Sequence, residues 1–392
     1  MRKKDSILVL LGILFISFNL RAPITAVGSV VSMIKADYML SNAVAGFITT
    51  LPLIAFAVVS PFVSKISSRL GQGRTMMIGL ILILIGEFVR SYTGAAGLFV
   101  GTAIIGIGIA IGNVLIPAII KKNFPEKVGA VTSVYTSGMC IYAAVGAGIS
   151  VPLAKGMDLG WKNALASWFI LTILTVLIWI PQTRKTEERA AVVTRGNSSS
   201  SSIWRSPLAW WVTIFMGIQS LLFYSQVAWL PTIVSSKGMT QGFAGNMALL
   251  FQLMAIPATL LIPTISDRFK DQKLLVLITS AIYMIGMTLF LLGNSELMLI
   301  LAVVLLAIGM GGSISLSIAF ISMRSPNPKR ASELSGMSQS AGYLLAAVGP
   351  IMSGSIYDAT GSWNIPIILF IVLIALLAFS GMFAGRDATV ED

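Results

Sequence analysis

The 392-residue chain contains no histidine and a single cysteine, Cys140. Without histidine it lacks the commonest metal ligand and the usual proton carrier at neutral pH. One cysteine permits neither an intrachain disulfide nor a thiolate metal cluster. Charge is scarce as well: 11% of residues are Asp, Glu, Lys or Arg, against about 25% in a soluble domain. No Walker lysine motif is present, so ATP is not expected as an energy source. Neither cofactor nor metal is expected. What fills the chain instead is apolar: 56% of residues are hydrophobic and the mean hydropathy is +0.89. A soluble globule cannot carry that surface, so the sequence describes an integral membrane protein.

A bilayer core is spanned by about 20 predominantly apolar residues in a helix. Breaking the sequence at its charge clusters gives twelve such runs, at 7–33, 43–64, 75–93, 96–120, 128–154, 162–181, 207–234, 243–266, 273–293, 296–322, 332–357 and 363–384. The apolar run after the basic N-terminus is too long for a signal-peptide core, so it is read as a retained span. With the N-terminus inside, 21 of the 27 Lys and Arg fall in inner loops, five fall outside, and Arg21 lies within the first span. The positive-inside bias places both termini in the cytoplasm of a bacterial cell membrane, with lipids as surroundings. The net charge of +12 is thereby explained by topology, and no nucleic-acid partner is needed.

Residues 182–206 form the longest polar stretch, charged and then serine-rich, and read as a flexible linker. They divide the chain into an N-terminal six-helix bundle, 1–181, and a C-terminal one, 207–392. The halves repeat each other. A shift of 203 places Pro125 on Pro328, Lys127 on Arg330, Ala143-Ala144-Val145-Gly146 on Ala346-Ala347-Val348-Gly349, and Gly106 and Gly108 on Gly309 and Gly311. A shift of 199 places Ile66-Ser67-Ser68-Arg69 on Ile265-Ser266-Asp267-Arg268. The glycines lie mid-span with no strand before them, which favours close helix packing over a nucleotide loop.

Six-span repeats of this kind resemble the major facilitator architecture, an all-α fold of twelve transmembrane helices in two bundles related by a pseudo-twofold axis. The resemblance sharpens in the loop after span two. There the family carries Gly-x-x-x-Asp-Arg-x-Gly-Arg-Arg/Lys, and this chain has a degenerate copy running through Ser68, Arg69, Gly71 and Arg74. The second half keeps the acid-base pair as Asp267-Arg268. In the family this loop latches neighbouring helices in one access state, and Ser68 in place of the acid weakens the first copy. In span one, Phe18-Asn19-Leu20-Arg21-Ala22-Pro23-Ile24-Thr25 resembles the cyanate permease and 2-nitroimidazole transporter family, with support from Tyr224 through Trp229-Leu230-Pro231 in span seven.

Arg21 stands near the membrane midplane, where an arginine is costly and normally faces a partner or a watery cavity. Its planar fork suits a carboxylate, a nitro group or a linear anion. Asn19 lies to the side and Thr25 one turn along on the same face. Pro23 makes a backbone carbonyl available as hinge or ligand. Asn113 on span four, Gln219, Tyr224, Gln226 and Trp229 on span seven, and Gln339 and Tyr343 on span eleven complete the candidate substrate site. Glu87 is the one carboxylate well inside a span. Arg90 follows at i+3 and is expected to neutralise it near the outer mouth, and a role in proton coupling stays open.

The expected function is secondary transport, by alternating access, of a small flat anionic or acceptor-rich solute. The resemblance implies cyanate-like anions or nitro-heteroaromatics. A proton-coupled multidrug or nitroimidazole exporter, exchanging protons at Glu87, remains the alternative. An enzyme would need a catalytic cluster that this chain lacks, and the duplicated fold needs no second copy to form its cavity.

Overall fold

The computed structural model describes residues 3–40, 42–193 and 202–391. Among them the chain is helical throughout, as a backbone crossing hydrocarbon must be to satisfy its own amides and carbonyls. Fourteen α-helices follow in order: α1 (Lys3–Asn19), α2 (Ala22–Asp37), α3 (Asn42–Leu70), α4 (Gln72–Tyr92), α5 (Gly94–Asn123), α6 (Val128–Val151), α7 (Gly160–Ala166), α8 (Trp168–Val193), α9 (Pro207–Ser236), α10 (Gln241–Ser266), α11 (Lys273–Leu292), α12 (Glu296–Met323), α13 (Pro328–Thr360) and α14 (Asn364–Ala384).

Two expected spans are each built from two helices. Span one breaks at Leu20-Arg21 between α1 and α2, and span six breaks at Ser167 between α7 and α8. Pro23 accounts for the first break, since its ring and missing amide stop α1 from running on. Span five closes on a single π turn, Pro152–Gly156. Helix α8 runs on to Val193, into the stretch read as linker. The serines at 198–201 lie outside the described residues. Eleven spans among the described residues are long and apolar enough to cross a membrane. The remaining expected span is α13, long enough at 33 residues but rich in serine and glycine.

The chain divides into two compact units. One comprises Met1–Asn123, Gly138–Ser202 and Asn327–Gly336, and the other Phe124–Ser137, Ile203–Pro326 and Met337–Asp392. The first turns of α6 therefore belong to the second unit and the first turns of α13 to the first. This exchange falls at the positions that the 203-residue repeat pairs.

In the first unit, α2, α3, α5, α7 and α8 share a core of Val27, Val30, Ile34, Ile48, Leu98, Trp161, Leu165 and Trp168. At one end Asp37 accepts from Trp161 Nε1 at 3.1 Å and pairs with Lys162 at 3.3 Å. Helices α4 and α5 touch through glycine. A Cβ on Gly108 would lie 2.5 Å from the Gly79 carbonyl oxygen, and one on Gly101 2.3 Å from the Arg90 amide nitrogen. In membranes such backbone approach, rather than apolar burial, supplies the packing energy. The opposite face of α4 leaves Ile81, Ile85, Phe88 and Tyr92 exposed at steps of three and four, a stripe suited to lipid.

In the second unit, α11 and α12 close in the same way at Gly286 and Gly309. The far end of α14 is tied back to α12. Arg324, buried just past α12, donates to Ala384 O at 3.0 Å and Gly385 O at 3.3 Å, and its guanidinium stands 5.7 Å from the Phe320 ring centroid. Gln272, which caps the start of α11, donates its amide to the Gly385 carbonyl.

Candidate functional site

Arg21 sits in the break of span one, with φ −126° and ψ −46°, and is half-buried. Its carbonyl accepts from Ile24 N and Thr25 N at 3.1 Å and from Thr25 Oγ1 at 3.2 Å, which starts α2. Thr25 thus supports Arg21 through the backbone. Its hydroxyl faces Gly146 of α6, where an added Cβ would come within 2.6 Å. Beside the break, Phe18 stacks on Tyr142 with ring centroids 3.7 Å apart and planes inclined by 13°. Both rings are half-buried. An arginine fork and a stacked aromatic pair one turn away can hold a flat, acceptor-rich molecule by edge and by face.

Asn19 does not share that role. It is fully buried, and both amide hydrogens are used, on Thr175 Oγ1 at 2.6 Å and Phe15 O at 2.8 Å. Its Oδ1 lies 2.7 Å from Thr172 Oγ1. The same hydroxyl lies 2.9 Å from Glu87 Oε2. Arg90 is buried too, but it does not bond Glu87. Its Nη1 donates to the Pro23 carbonyl at 2.6 Å, and Glu87 Oε1 and Arg90 Nε and Nη2 have no hydrogen-bond partner. The expected pair still interacts electrostatically, but neither hydrogen-bonds the other: Arg90 is anchored on Pro23 of α2, and Glu87 on Thr172 of α8, which in turn meets Asn19. The reason is reach: an arginine side chain is long enough to pass its own helical turn and meet the Pro23 carbonyl in the first turn of α2. Thr172 and Thr175 are the residues that sequence reasoning passed over. Their i, i+3 spacing in an otherwise apolar helix is the available signal.

Asn113, buried on α5, accepts at its backbone carbonyl from Ser335 Oγ at 3.3 Å. In the second unit, Gln219 is buried with its amide 3.7 Å from Met310 Sδ, and its Oε1 accepts from Ser220. Gln226 donates to the Tyr283 hydroxyl. Trp229 donates to the Pro350 carbonyl at 2.8 Å and packs on Trp363 with centroids 5.0 Å apart. Tyr224 and Tyr343 meet edge to face at 6.3 Å. Gln339 is buried and its Oε1 has no partner. Of this set, Gln219, Gln226 and Trp229 spend a donor on the bundle itself.

The loop residues separate similarly. Asp267 Oδ1 and Oδ2 accept from the amides of Gly129 and Ala130 at 2.7 and 2.9 Å, so a carboxylate caps the start of α6. Ser68, at the equivalent place, donates only to Lys65 O within its own helix. Gly71 holds φ 83°, which a side chain would strain, at the turn into α4. Arg69, Arg74 and Arg268 are exposed.

The Major Facilitator Superfamily model matches residues 9–332 and 223–390. An uncharacterized transporter of Bacillus subtilis, YycB, is 48% identical over 386 residues, covering 98% of this chain and 95% of that one. The 2-nitroimidazole transporter of Escherichia coli is 38% identical over 391 residues, covering 99% and 98%. The cyanate transport protein CynX of the same organism is 23% identical over 356 residues, covering 91% of each. Among solved structures, the proton:xylose symporter XylE superposes with a TM-score of 0.80 at 17% identity, covering 98% of this chain and 97% of that one, which speaks for the fold alone. An arginine in a broken first span, two related sets of spans and these matches have one reading: the chain belongs to the Major Facilitator Superfamily, as a multi-pass secondary transporter and not an enzyme.

Proposed function

We propose that this transporter carries a small, flat, acceptor-rich solute by alternating access, with nitro-heteroaromatics such as 2-nitroimidazole favoured over linear anions such as cyanate. The observation that carries the reading is Arg21 at the helix break with the Phe18–Tyr142 stack beside it. A ring can use both elements, whereas cyanate can use only the guanidinium. The whole-length relative at 38% identity transports 2-nitroimidazole by name, while the cyanate transport protein stands at 23%. Asn113, Gln219, Tyr224, Gln339 and Tyr343 are the further polar and aromatic contacts we assign to the solute, and Thr25 positions Arg21. The loop at Asp267 is assigned to gating, because it holds the first turn of α6 by charge. The cell membrane, cytoplasmic termini, a six-plus-six division around residues 182–206 and function as a monomer belong to the same proposal.

Thermal stabilisation of the purified protein tests it, since a ligand bound only to the folded form raises the midpoint in proportion to saturation. 2-Nitroimidazole should stabilise the wild type, stabilise Arg21→Ala far less, and lose affinity by about fivefold in Tyr142→Ala, an edge of roughly 1 kcal/mol for one ring contact. Stabilisation by cyanate alone, abolished in Arg21→Ala and untouched in Tyr142→Ala, would replace the ring by a linear anion. Equal stabilisation of all three proteins would remove Arg21 from the site.

A further inference from the structure

The chain Glu87–Thr172–Asn19 contains one donor too few. Asn19 cannot be turned over, because its Nδ2 stands 2.8 Å from the Phe15 carbonyl, an acceptor only. Its Oδ1 therefore faces Thr172 Oγ1 at 2.7 Å and requires that hydroxyl's proton. Glu87 Oε2 lies 2.9 Å from the same oxygen and the Trp168 carbonyl 3.4 Å from it, so three acceptors surround one hydroxyl, the Asn19 oxygen being the nearest. A threonine hydroxyl has one hydrogen and two lone pairs. Once that hydrogen is given to Asn19, Glu87 meets a lone pair, and the contact is attractive only if the carboxyl brings a hydrogen of its own.

Arg90 points the same way. A carboxylate buried in the membrane draws a nearby guanidinium to it. Here Arg90 gives Nη1 to the Pro23 carbonyl, and Glu87 Oε1 stays without a hydrogen-bond partner. No other acid or base competes at this level. On the helices packed against α4, α5 carries none before Lys121, α3 none before Lys65 and α8 none before Arg184. On α7, Lys162 is paired with Asp37, and the Tyr92 hydroxyl of α4 donates to Asn163. Across the break, Arg21 begins α2. A crevice of about 370 Å³, lined by Phe88, Tyr92, Asn163, Ser167 and Phe169, borders Glu87.

We propose that Glu87 is a proton-binding site built against the break in span one, and that its proton holds the break, and with it Arg21, in place. In the loaded state Glu87 donates to Thr172, Thr172 to Asn19, and Arg90 to Pro23, so the last residue of α1 and the first turn of α2 are both pinned. On release the Glu87 O–H bond breaks and the proton passes to a water molecule admitted beside the carboxyl. The carboxylate then takes back the Thr172 hydrogen and draws Arg90, so both anchors loosen together. The idea rests on the proposed function only in treating this proton as coupled to solute movement.

Infrared difference spectra of the detergent-solubilised protein at neutral pH test the site without any solute. The wild type should show a protonated carboxyl band that shifts in deuterated water, is missing in Glu87→Gln and moves to higher wavenumber in Thr172→Val, where its hydrogen-bond acceptor is gone. Absence of the band, or its persistence in Glu87→Gln, overturns the proposal. If Glu87→Gln does not fold, an unshifted band in Thr172→Val overturns it instead. In proteoliposomes, 2-nitroimidazole gradients should drive pH changes with the wild type but not with Glu87→Gln. Equal pH changes in both would leave Glu87 out of coupling, while failure of the wild type to move 2-nitroimidazole counts against the solute and not against the infrared result.

Discussion

Replacing Gly101 by alanine puts a methyl group where two helix backbones touch. Its Cβ would lie 2.3 Å from the Arg90 amide nitrogen, 2.6 Å from the Gly86 carbonyl oxygen and 2.7 Å from Arg90 Cα. All three are main-chain atoms, so no side chain can swing aside, and α4 and α5 have to part by roughly 1 Å to restore ordinary contact. Overpacking a close-packed site costs about 1–3 kcal/mol, and a backbone clash belongs at the upper end. Alanine returns about 1 kcal/mol of helix propensity over glycine. The net expectation is a loss of roughly 2 kcal/mol, or about 4 °C in midpoint at some 2 °C per kcal/mol for a long chain. Gly28→Ala is the control, since nothing lies within 4 Å of its added Cβ, and it should hold or raise the midpoint. Thermal unfolding in detergent, followed by tryptophan fluorescence, measures both. Equal midpoints for the two variants would refute the claim that glycine contact sets the α4–α5 distance. Because the clash falls on Arg90 itself, Gly101→Ala should also weaken solute binding, which a purely local strain would not do.

Two further outcomes follow from anchors described above. Arg324→Met removes the donor to the Ala384 and Gly385 carbonyls and should cost about 1.5–3 kcal/mol, seen as a lower unfolding midpoint. Arg324→Lys should recover only part of it, because an ammonium cannot reproduce the forked geometry. Pro23→Ala restores an amide that could bond the Asn19 carbonyl and carry α1 into α2. It should leave the protein at least as stable while lowering solute affinity by about tenfold, an effect of 1.4 kcal/mol that binding isotherms resolve.

The spans were legible because membrane crossing demands long apolar runs, and charge clusters mark where they stop. Polarity inside a span was harder to place. At i+3, Arg90 reads as the partner of Glu87, and on a straight isolated helix it would be. The Pro23 carbonyl in the first turn of α2 competes for it, and a carbonyl from another helix leaves no trace in the sequence. Thr172 was nearly silent for a related reason. A threonine in an apolar helix normally returns its hydroxyl to the carbonyl four residues back, as Thr213 and Thr279 do at 2.7 Å. Thr172 keeps that contact only at 3.4 Å while it meets Asn19 at 2.7 Å, and its i, i+3 spacing from Thr175 is the one local hint of it. The repeat carries a similar lesson. The 203-residue shift pairs Gly106 with Gly309, yet Gly106 meets Ala55 and Pro52 of α3, whereas Gly309 meets Tyr283 of α11. By the same shift Gly108 faces α4 and Gly311 faces α10. Aligned letters therefore preserved small residues without preserving which neighbour each one admits.

A half-buried arginine within a membrane span has to be repaid by what surrounds it, and the break explains how position and charge come together. Helix α2 starts at Arg21, so the amides of its first turn and the guanidinium lie at the same end of the same helix. A helix start carries about half a positive charge, which adds to the arginine and does not cancel it. Pro23 removes one amide from that first turn, and the Arg21 carbonyl takes those of Ile24 and Thr25. The remaining field favours a molecule that brings acceptors, and the Phe18–Tyr142 stack favours one that is flat. A continuous first helix would have put the same arginine on a side with no free helix start and no fixed ring plane. Under the proposed function, solute choice is therefore written less in the identity of Arg21 than in the break that surrounds it. The residues that fix the break, Glu87, Arg90 and Thr172, touch it from neighbouring spans without belonging to the motif that first drew attention to it.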